Sequence, residues 1–223
     1  MKNLLLLLLI PMIGFGQNVN IPDANFKAYL VNNKAINSNG DNEIQVSEAS
    51  VFNDTIDCPY KNISNLKGIE AFTNLTSLMC YTNQLTSLDV SQNTALTSLG
   101  CNENQLTSLD VSNNTALTQL WCNFNQLTSL DVSKNTAFTF LSCDGNQLTS
   151  LNVSQNTALT QLFCSSSQLT SLDVSKNTAL TQLFCDNNQL TSLDVSKNTA
   201  LTTLSCEENQ FDCDAIIRKY GID

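Results

Sequence analysis

Residues 75–95 read LTSLMCYTNQLTSLDVSQNTA, and closely similar stretches of 21 residues follow one another until residue 211. A cysteine marks the period, since it recurs at intervals of 21 at Cys80, Cys101, Cys122, Cys143, Cys164, Cys185 and Cys206. Cys58, 22 residues before Cys80, opens an irregular first copy. Short repeats of this kind stack as the coils of a solenoid, because each copy can bury its apolar side chains only against its neighbours.

Each copy contains two similar halves. Residues 75–85 fit the pattern L-x-x-L-x-L-x-x-N-x-L with Cys80 in the third apolar position, and residues 85–95 fit it again. In the first half the alternation places Leu78 and Cys80 inward and Met79 outward, as in a short strand. Neither half has room for a helix. We therefore expect two parallel sheets lying back to back, with one strand from every coil in each sheet.

This double pattern resembles the leucine-rich-repeat superfamily, and within it the bacterial 21-residue type with nested motifs, the IRREKO-like class. The match runs from about residue 56 to residue 211, which is most of the chain. The resemblance implies a right-handed, all-β-rich solenoid. It also implies a role in binding proteins or other surface partners, and no catalysis.

The sequence outside the repeats divides into three further segments. Residues 1–16 have the positive start, apolar run and small residues of a signal peptide, so the mature chain begins at Gln17 and is secreted or exposed at the cell surface. Residues 17–55 form an N-terminal helical cap, with a helix from Asp23 to about Lys34. Residues 56–211 are the solenoid. Residues 212–223 form a C-terminal helical cap with Asp212 as N-cap and Gly221 as its stop.

Composition narrows the possible functions. The net charge is −10, which argues against nucleic acid and against docking on anionic membranes, and no apolar stretch after the signal peptide predicts membrane insertion. The chain has no histidine, nucleophile elbow or phosphate-binding glycine loop. We therefore expect a binding protein and not an enzyme, with a protein or glycan partner at the bacterial surface or outside the cell.

Nine cysteines in an exported chain suggest disulfides, but their register argues otherwise. The cysteines of the regular column point inward, and in-register neighbours have nearly parallel Cα–Cβ vectors, which suit a disulfide poorly. We expect buried free thiols that act as small apolar side chains. Cys213 lies outside the column and is either free or paired with Cys206.

The loop at residues 37–48 is a candidate cation site. Its spacing resembles the EF-hand calcium loop, which implies ligands at Asn37, Asn39, Asp41, Glu43 through its carbonyl, and Glu48. Asn stands at position 1 and again at position 6, where the family has Asp and Gly, so the resemblance implies at most one weak calcium site and no other cofactor. The alternative is a helical cap whose Asn and Asp side chains close turns.

The outward position between Leu and Cys varies from copy to copy and carries Trp121, Phe163 and Phe184. Phe124 and Phe140 occupy nearby variable positions. Aromatic side chains that cluster on a surface are typical of binding sites. These five residues are our candidate ligand-binding face on the Leu-x-Cys sheet, against the alternative of unrelated surface aromatics in a drifting repeat.

Two other functions remain open at this point. A structural or adhesive surface protein needs no discrete site, and its regular polar coils would suffice. An ice-binding face could use the threonine columns at Thr86, Thr107 and Thr128, but the flat outward strand positions carry aromatics, Gly and Asp in place of Thr. A binding module that uses the aromatic face is the function the sequence favours.

Overall fold

A computed structural model describes residues 16–222. Apart from Gly16, the predicted signal peptide lies outside the described residues. The predicted leucine-rich-repeat solenoid is confirmed, and helices lie at both of its ends.

Each coil contributes one three-residue strand to a parallel sheet whose eight strands lie in sequence order. Every strand pairs with the next at the repeat distance, so that Leu99 lies beside Leu120 and Gly100 beside Trp121. The strands are β1 Thr55–Asp57, β2 Ser77–Met79, β3 Ser98–Gly100, β4 Gln119–Trp121, β5 Phe140–Ser142, β6 Gln161–Phe163, β7 Gln182–Phe184 and β8 Thr203–Ser205. The 21-residue period of the sequence thus sets the register in which neighbouring strands pair.

The core is a set of columns that run the length of the solenoid. The middle residue of each strand and the cysteine two residues after it point inward, as predicted, and Leu78 and Cys80 are fully buried. Seven cysteines, from Cys58 to Cys185, are buried free thiols. Burial raises the pKa of the Cys101 thiol to about 12, so the column stays protonated and packs as an apolar element. Cys206 and Cys213 form a disulfide, which decides the alternative that the sequence left open.

The prediction of a second sheet must be corrected, because residues 16–222 contain a single sheet. The second half of each coil is extended but its backbone groups bond elsewhere. The Val90 carbonyl accepts from the Asn93 N–H at 2.9 Å and from the Asn114 amide at 3.0 Å. Asp89 accepts the Ser91 N–H at 2.9 Å. These bonds turn the chain just after the valine and leave this half without a strand ladder.

Two asparagine columns join the coils. Asn104 in the first column donates to the carbonyls of Cys80 and Cys101 and accepts the Leu85 N–H at 3.0 Å. Asn114 in the second column donates to the carbonyls of Val90 and Asn93. The amides of the first column therefore bond both to their own coil and to the preceding one, and those of the second column bond to the preceding coil. Both columns satisfy backbone groups that a tight turn would leave unpaired.

Helices cover both ends of the core. At the N-terminus, α1 spans Ala24–Asn32, α2 spans Val46–Val51 and a short 3₁₀ turn spans Ile69–Ala71. The Asp23 side chain caps α1 by accepting two backbone N–H groups. At the C-terminus, α3 spans Cys213–Tyr220 between the predicted cap Asp212 and Gly221, which has φ 63°. The Cys206–Cys213 disulfide fastens α3 to the last coil.

Candidate functional site

The outward face of the sheet presents the first and third residues of every strand. Most of the first positions are polar, whereas the third position carries Trp121, Phe163 and Phe184 among smaller residues. Phe140 stands at the first position of β5, where β4 and β6 have glutamine. Four of the five predicted aromatic residues thus lie on adjacent strands of one face.

The structure brings these four side chains into one continuous line, here called the aromatic row. The ring centroids lie 4.9 Å apart between Trp121 and Phe140, 5.5 Å between Phe140 and Phe163, and 4.7 Å between Phe163 and Phe184. The interplanar angles are 37°, 35° and 9° in the same order. All four side chains are half-buried, because each ring covers part of the next.

Phe140 belongs to the row although it lies in a different register position. Ser142, the third residue of β5, pairs with both Trp121 and Phe163 and is 6% exposed. Its small side chain leaves space between the flanking rings, and the Phe140 ring occupies that space. The row therefore stays continuous through a coil that has serine at the usual aromatic position.

Phe124 does not join the aromatic row. It lies in the turn after β4, is 57% exposed and has φ 53°, a left-handed conformation that costs a non-glycine residue about 1 kcal/mol or more. Its ring rests on the next coil at Gly145, where an added Cβ would lie 2.5 Å from Phe124 Cδ1. Phe124 is thus a separate exposed aromatic at the margin of the same face.

A polar margin borders the row at the carboxyl ends of the strands. Asp144 accepts the Ser142 hydroxyl at 2.8 Å and the Ser165 N–H at 2.9 Å. Asp186 accepts the hydroxyls of Ser165 at 2.7 Å and Ser205 at 2.9 Å. Burial raises the pKa of Asp144. Sequence reasoning missed this network, although the variable position after each cysteine, with Asp, Ser and Asp in successive coils, carried a signal.

The loop at residues 37–48 is held by its own side chains. Glu48 accepts four hydrogen bonds, from the backbone of Ser38, Asn39 and Gln45 and from the Ser38 hydroxyl. Asp41 accepts the Glu43 N–H and the amides of Asn39 and Gln45. The Glu43 carboxylate is 2.6 Å from Lys27 Nζ.

The donor chemistry of this loop suits a hard cation, but its oxygens are already paired within the loop. Asn37 Oδ1 accepts the Gly40 N–H and Asn39 Oδ1 accepts the Asp41 N–H, as in Asx turns. A calcium ion would have to replace these bonds and those of Glu48. In the described part of the chain, no three His, Cys, Asp or Glu residues are grouped as metal ligands. Calcium at Asn37, Asn39, Asp41, Glu43 and Glu48 therefore stays a prediction of weak binding.

No protein-family model matches the chain. Internalin J of Listeria monocytogenes is 48% identical to it over 40 residues, 18% of this chain and 4% of that protein. A solved functional domain of internalin J, which includes a cysteine ladder, is 40% identical and superimposes with a TM-score of 0.71. This match covers 86% of the chain but 48% of the domain, so the chain spans about half the length of that structure.

Two further structures support the same architecture. A leucine-rich-repeat protein of Leptospira interrogans is 25% identical, with a TM-score of 0.64 over 70% of this chain and 50% of that one. Internalin C2 of Listeria monocytogenes is 20% identical, with a TM-score of 0.78 over 92% of this chain and 93% of that one, and shows likeness of fold alone. No helix between residues 16 and 222 is long and apolar enough to cross a membrane. With its 21-residue coils and inward cysteine column, the chain has the leucine-rich-repeat solenoid fold and is similar to the cysteine-ladder domain of internalin J.

Proposed function

We propose that the chain is a secreted or cell-surface binding module that engages a protein partner through the aromatic row of its sheet. The observation that carries this proposal is the continuous contact of Trp121, Phe140, Phe163 and Phe184 at positions that the repeat leaves free. The core fixes the residues at the inward positions. The third, outward position of a strand can hold serine, as it does in β8 with Ser205. Four adjacent aromatics are therefore not needed for folding, and a cluster of partly exposed aromatics on one face favours a binding surface.

The orientation of the rings favours a protein over a glycan. The centroids of Phe163 and Phe184 are 4.7 Å apart with planes 9° apart, and two rings lying side by side in one plane could not approach so closely. The rings therefore stand on edge and cover each other's faces. A sugar ring binds an aromatic residue by lying flat on its face, whereas apolar side chains pack well against ring edges. The row thus offers protein side chains the better surface.

Export of the chain is part of the same proposal. The apolar segment in residues 1–16 has the pattern of a signal peptide, and Cys206 and Cys213 are paired, as expected in an oxidising compartment. The remaining cysteines are buried and so do not need reducing conditions to stay free. These features support a location outside the cytoplasm.

The test uses the full chain, immobilised, to capture proteins from culture medium and surface extracts, followed by calorimetry with each purified partner. We expect Trp121→Ala and Phe163→Ala to abolish binding without lowering the melting temperature by more than a few degrees. The matched control is Val51→Ala, because Val51 is 72% exposed but lies in α2, away from the sheet. Binding that survives both aromatic substitutions would refute the proposal.

A structural or adhesive role is the second candidate, supported by the regular polar coils. It predicts self-association, or surface binding that does not depend on the aromatic row. Analytical ultracentrifugation of the wild-type chain and of Phe163→Ala distinguishes the two functions. A concentration-dependent assembly that persists in the variant would favour the structural role over the binding module.

A further inference from the structure

A hollow lies at the end of the aromatic row that is closer to the N-terminus. Its volume is about 190 Å³, and its walls are formed by Met79, Tyr81, Gly100, Asn102 and Trp121. It exists because Gly100 occupies the outward position of β3, between Met79 on β2 and Trp121 on β4. A large side chain at position 100 would fill the gap, so we call this hollow the Gly100 pocket.

Trp121 forms one wall of the pocket. Its neighbour on the other side is the Phe140 ring, with centroids 4.9 Å apart, whereas the adjacent strand toward the N-terminus offers only Gly100. Inside the row the ring faces cover one another, whereas the adjacent strand β3 places no aromatic ring against the indole at this end. The Met79 thioether approaches from the opposite side, because a Cβ added to Gly100 would lie 2.7 Å from Met79 Sδ.

The walls of the pocket suit an apolar guest. Indole, thioether and the Tyr81 ring supply most of the lining, and Asn102 is the one amide side chain in it. A sugar would leave most of its hydroxyls without partners there, which is costly. Sulfur and aromatic surfaces instead pack favourably against a phenyl, leucyl or methionyl side chain. The volume is enough for one such side chain and too small for a whole helix or strand.

The charges on the side of the solenoid that carries the pocket are mainly acidic. Asp57 stands beside Met79 at the outward position of β1, and Glu103 follows Asn102 in the turn after β3, where it accepts the Thr82 hydroxyl. Between residues 55 and 210, the strands and the turns that follow them carry one basic residue, Lys61, and six acidic ones, namely Asp57, Glu103, Asp144, Asp186, Glu207 and Glu208. Lys134, Lys176 and Lys197 lie in the other half of their coils. This side of the solenoid therefore attracts a positively charged partner.

We propose that the Gly100 pocket receives one bulky apolar side chain, such as Phe, Leu or Met, from a lysine- or arginine-rich segment of a protein partner. The inference rests on the proposed function and adds to it the anchor point and the chemistry of the bound segment. The apolar side chain supplies the buried contact, and the flanking basic residues face Asp57 and Glu103. The aromatic row then continues the contact along the sheet.

The protein carries its own reporter, because Trp121 is its only tryptophan. A titration with the tryptophan-free peptide acetyl-Lys-Lys-Gly-Phe-Gly-Lys-Lys-amide should give a saturable change in indole emission that weakens with added salt. Replacement of Phe by Ser in the peptide, or of every Lys by Glu, should weaken binding about tenfold or more. The same titration with maltohexaose tests a carbohydrate as the ligand. A saturable response to maltohexaose with none to the Phe peptide would overturn the inference.

A substitution that fills the pocket tests the inference most directly. Gly100→Leu should weaken binding of the Phe peptide about tenfold or more, since it occupies the space of the guest. Ser205→Leu is the matched control, because it adds the same side chain at the same strand position beyond the other end of the row. Gly100→Ala, which requires only the flexible Met79 side chain to move, serves if the leucine variant lowers the melting temperature. Wild-type affinity in a folded Gly100 variant would refute the pocket.

The outcomes separate this inference from the proposed function. If a folded Gly100→Leu chain still captures the protein partner while Phe163→Ala does not, the binding face stands and the Gly100 pocket is refuted. If both substitutions abolish capture but Ser205→Leu does not, both proposals are supported. Capture that none of the sheet variants affects would refute both.

Discussion

Phe163 and Phe184 stack with their ring planes 9° apart and their centroids 4.7 Å apart, which is close to the distance of about 4.8 Å between strands in a sheet. Identical side chains at identical positions of neighbouring coils are brought into stacking by the register alone. The pair therefore contributes to stability as well as to the surface. The contribution should be modest, because both rings remain half exposed.

A double-mutant cycle measures this contribution. We expect Phe184→Ala to lower the free energy of unfolding by about 1 kcal/mol, and the coupling between Phe163→Ala and Phe184→Ala to be about 0.5–1.5 kcal/mol, as for other aromatic pairs. Urea denaturation of the four chains gives both values. Zero coupling would mean that the rings share a surface without stabilising each other.

The interruption of the first asparagine column at Ser167 offers a stabilising substitution. In the preceding coil, Asn146 accepts the Leu127 N–H at 3.0 Å and donates to the carbonyls of Cys122 and Cys143. Ser167 Oγ is buried and has no hydrogen-bond partner in the described part of the chain. Ser167→Asn should recover the bonds of the column and raise the free energy of unfolding by about 1–2 kcal/mol.

Asn146→Ser is the reverse experiment and should destabilise the chain by a similar amount. Chemical denaturation of both variants beside the wild type tests the pair. A neutral or destabilising Ser167→Asn would indicate that the turn formed by residues 165–167 has a backbone that cannot accept the amide.

The aspartates of the second half should make stability depend on pH. Asp110 accepts the Ser112 N–H at 2.9 Å, and this bond holds the pKa of Asp110 below its usual value. Because the folded pKa is the lower one, the stabilisation is present above pH 4 or so and is lost as the pH falls through the folded pKa. The same direction holds for Asp89, Asp131, Asp173 and Asp194.

Asn152 shows that an asparagine at this position keeps the hydrogen bond and removes the negative charge of the aspartate. It stands at the same position and accepts the Ser154 N–H at 3.0 Å with a neutral amide. Replacing the five aspartates by Asn should preserve stability at pH 7 and reduce its loss on acidification, whereas replacement by Ala should already be destabilising at pH 7. Thermal melts between pH 7 and pH 2 test this. Equal melting temperatures of the Asn and Ala variants at pH 7 would contradict it.

The aromatic row could be predicted from the sequence because one periodicity fixes every orientation. Once Cys122 is known to point inward, Trp121 before it must point outward, and the 21-residue register then aligns Phe163 with Phe184. Phe140 joins them through the space above Ser142, and this contact depends on side-chain sizes at two different strand positions. Phe124 was placed on the same face, but its turn carries it to the margin.

The second sheet could not be judged from alternation alone. Leu88, Asp89 and Val90 alternate just as Leu78, Met79 and Cys80 do, yet only Leu78 and Met79 lie in a strand ladder with β3. The difference arises from Asp89 and from the asparagine of the next coil, whose side chains take the backbone groups that a ladder would use. The Gly100 pocket also escaped prediction, because its volume depends on where the Met79 side chain lies.

Calcium binding at residues 37–48 is the remaining prediction, and it should be weak. The ion must replace hydrogen bonds that already satisfy Glu48 and Asp41, and only these two carboxylates are available, since Glu43 is paired with Lys27. We expect a dissociation constant of about 10⁻⁴–10⁻³ M in calorimetric titration and a rise in melting temperature with calcium. Asp41→Asn should weaken binding, whereas Asp54→Asn, outside the loop, should not. Glu48→Ala is less informative, because it also removes four hydrogen bonds from the cap. A wild-type chain that gives neither heat nor a shift in melting temperature at millimolar calcium would show that these side chains serve only to close the turns of the N-terminal cap.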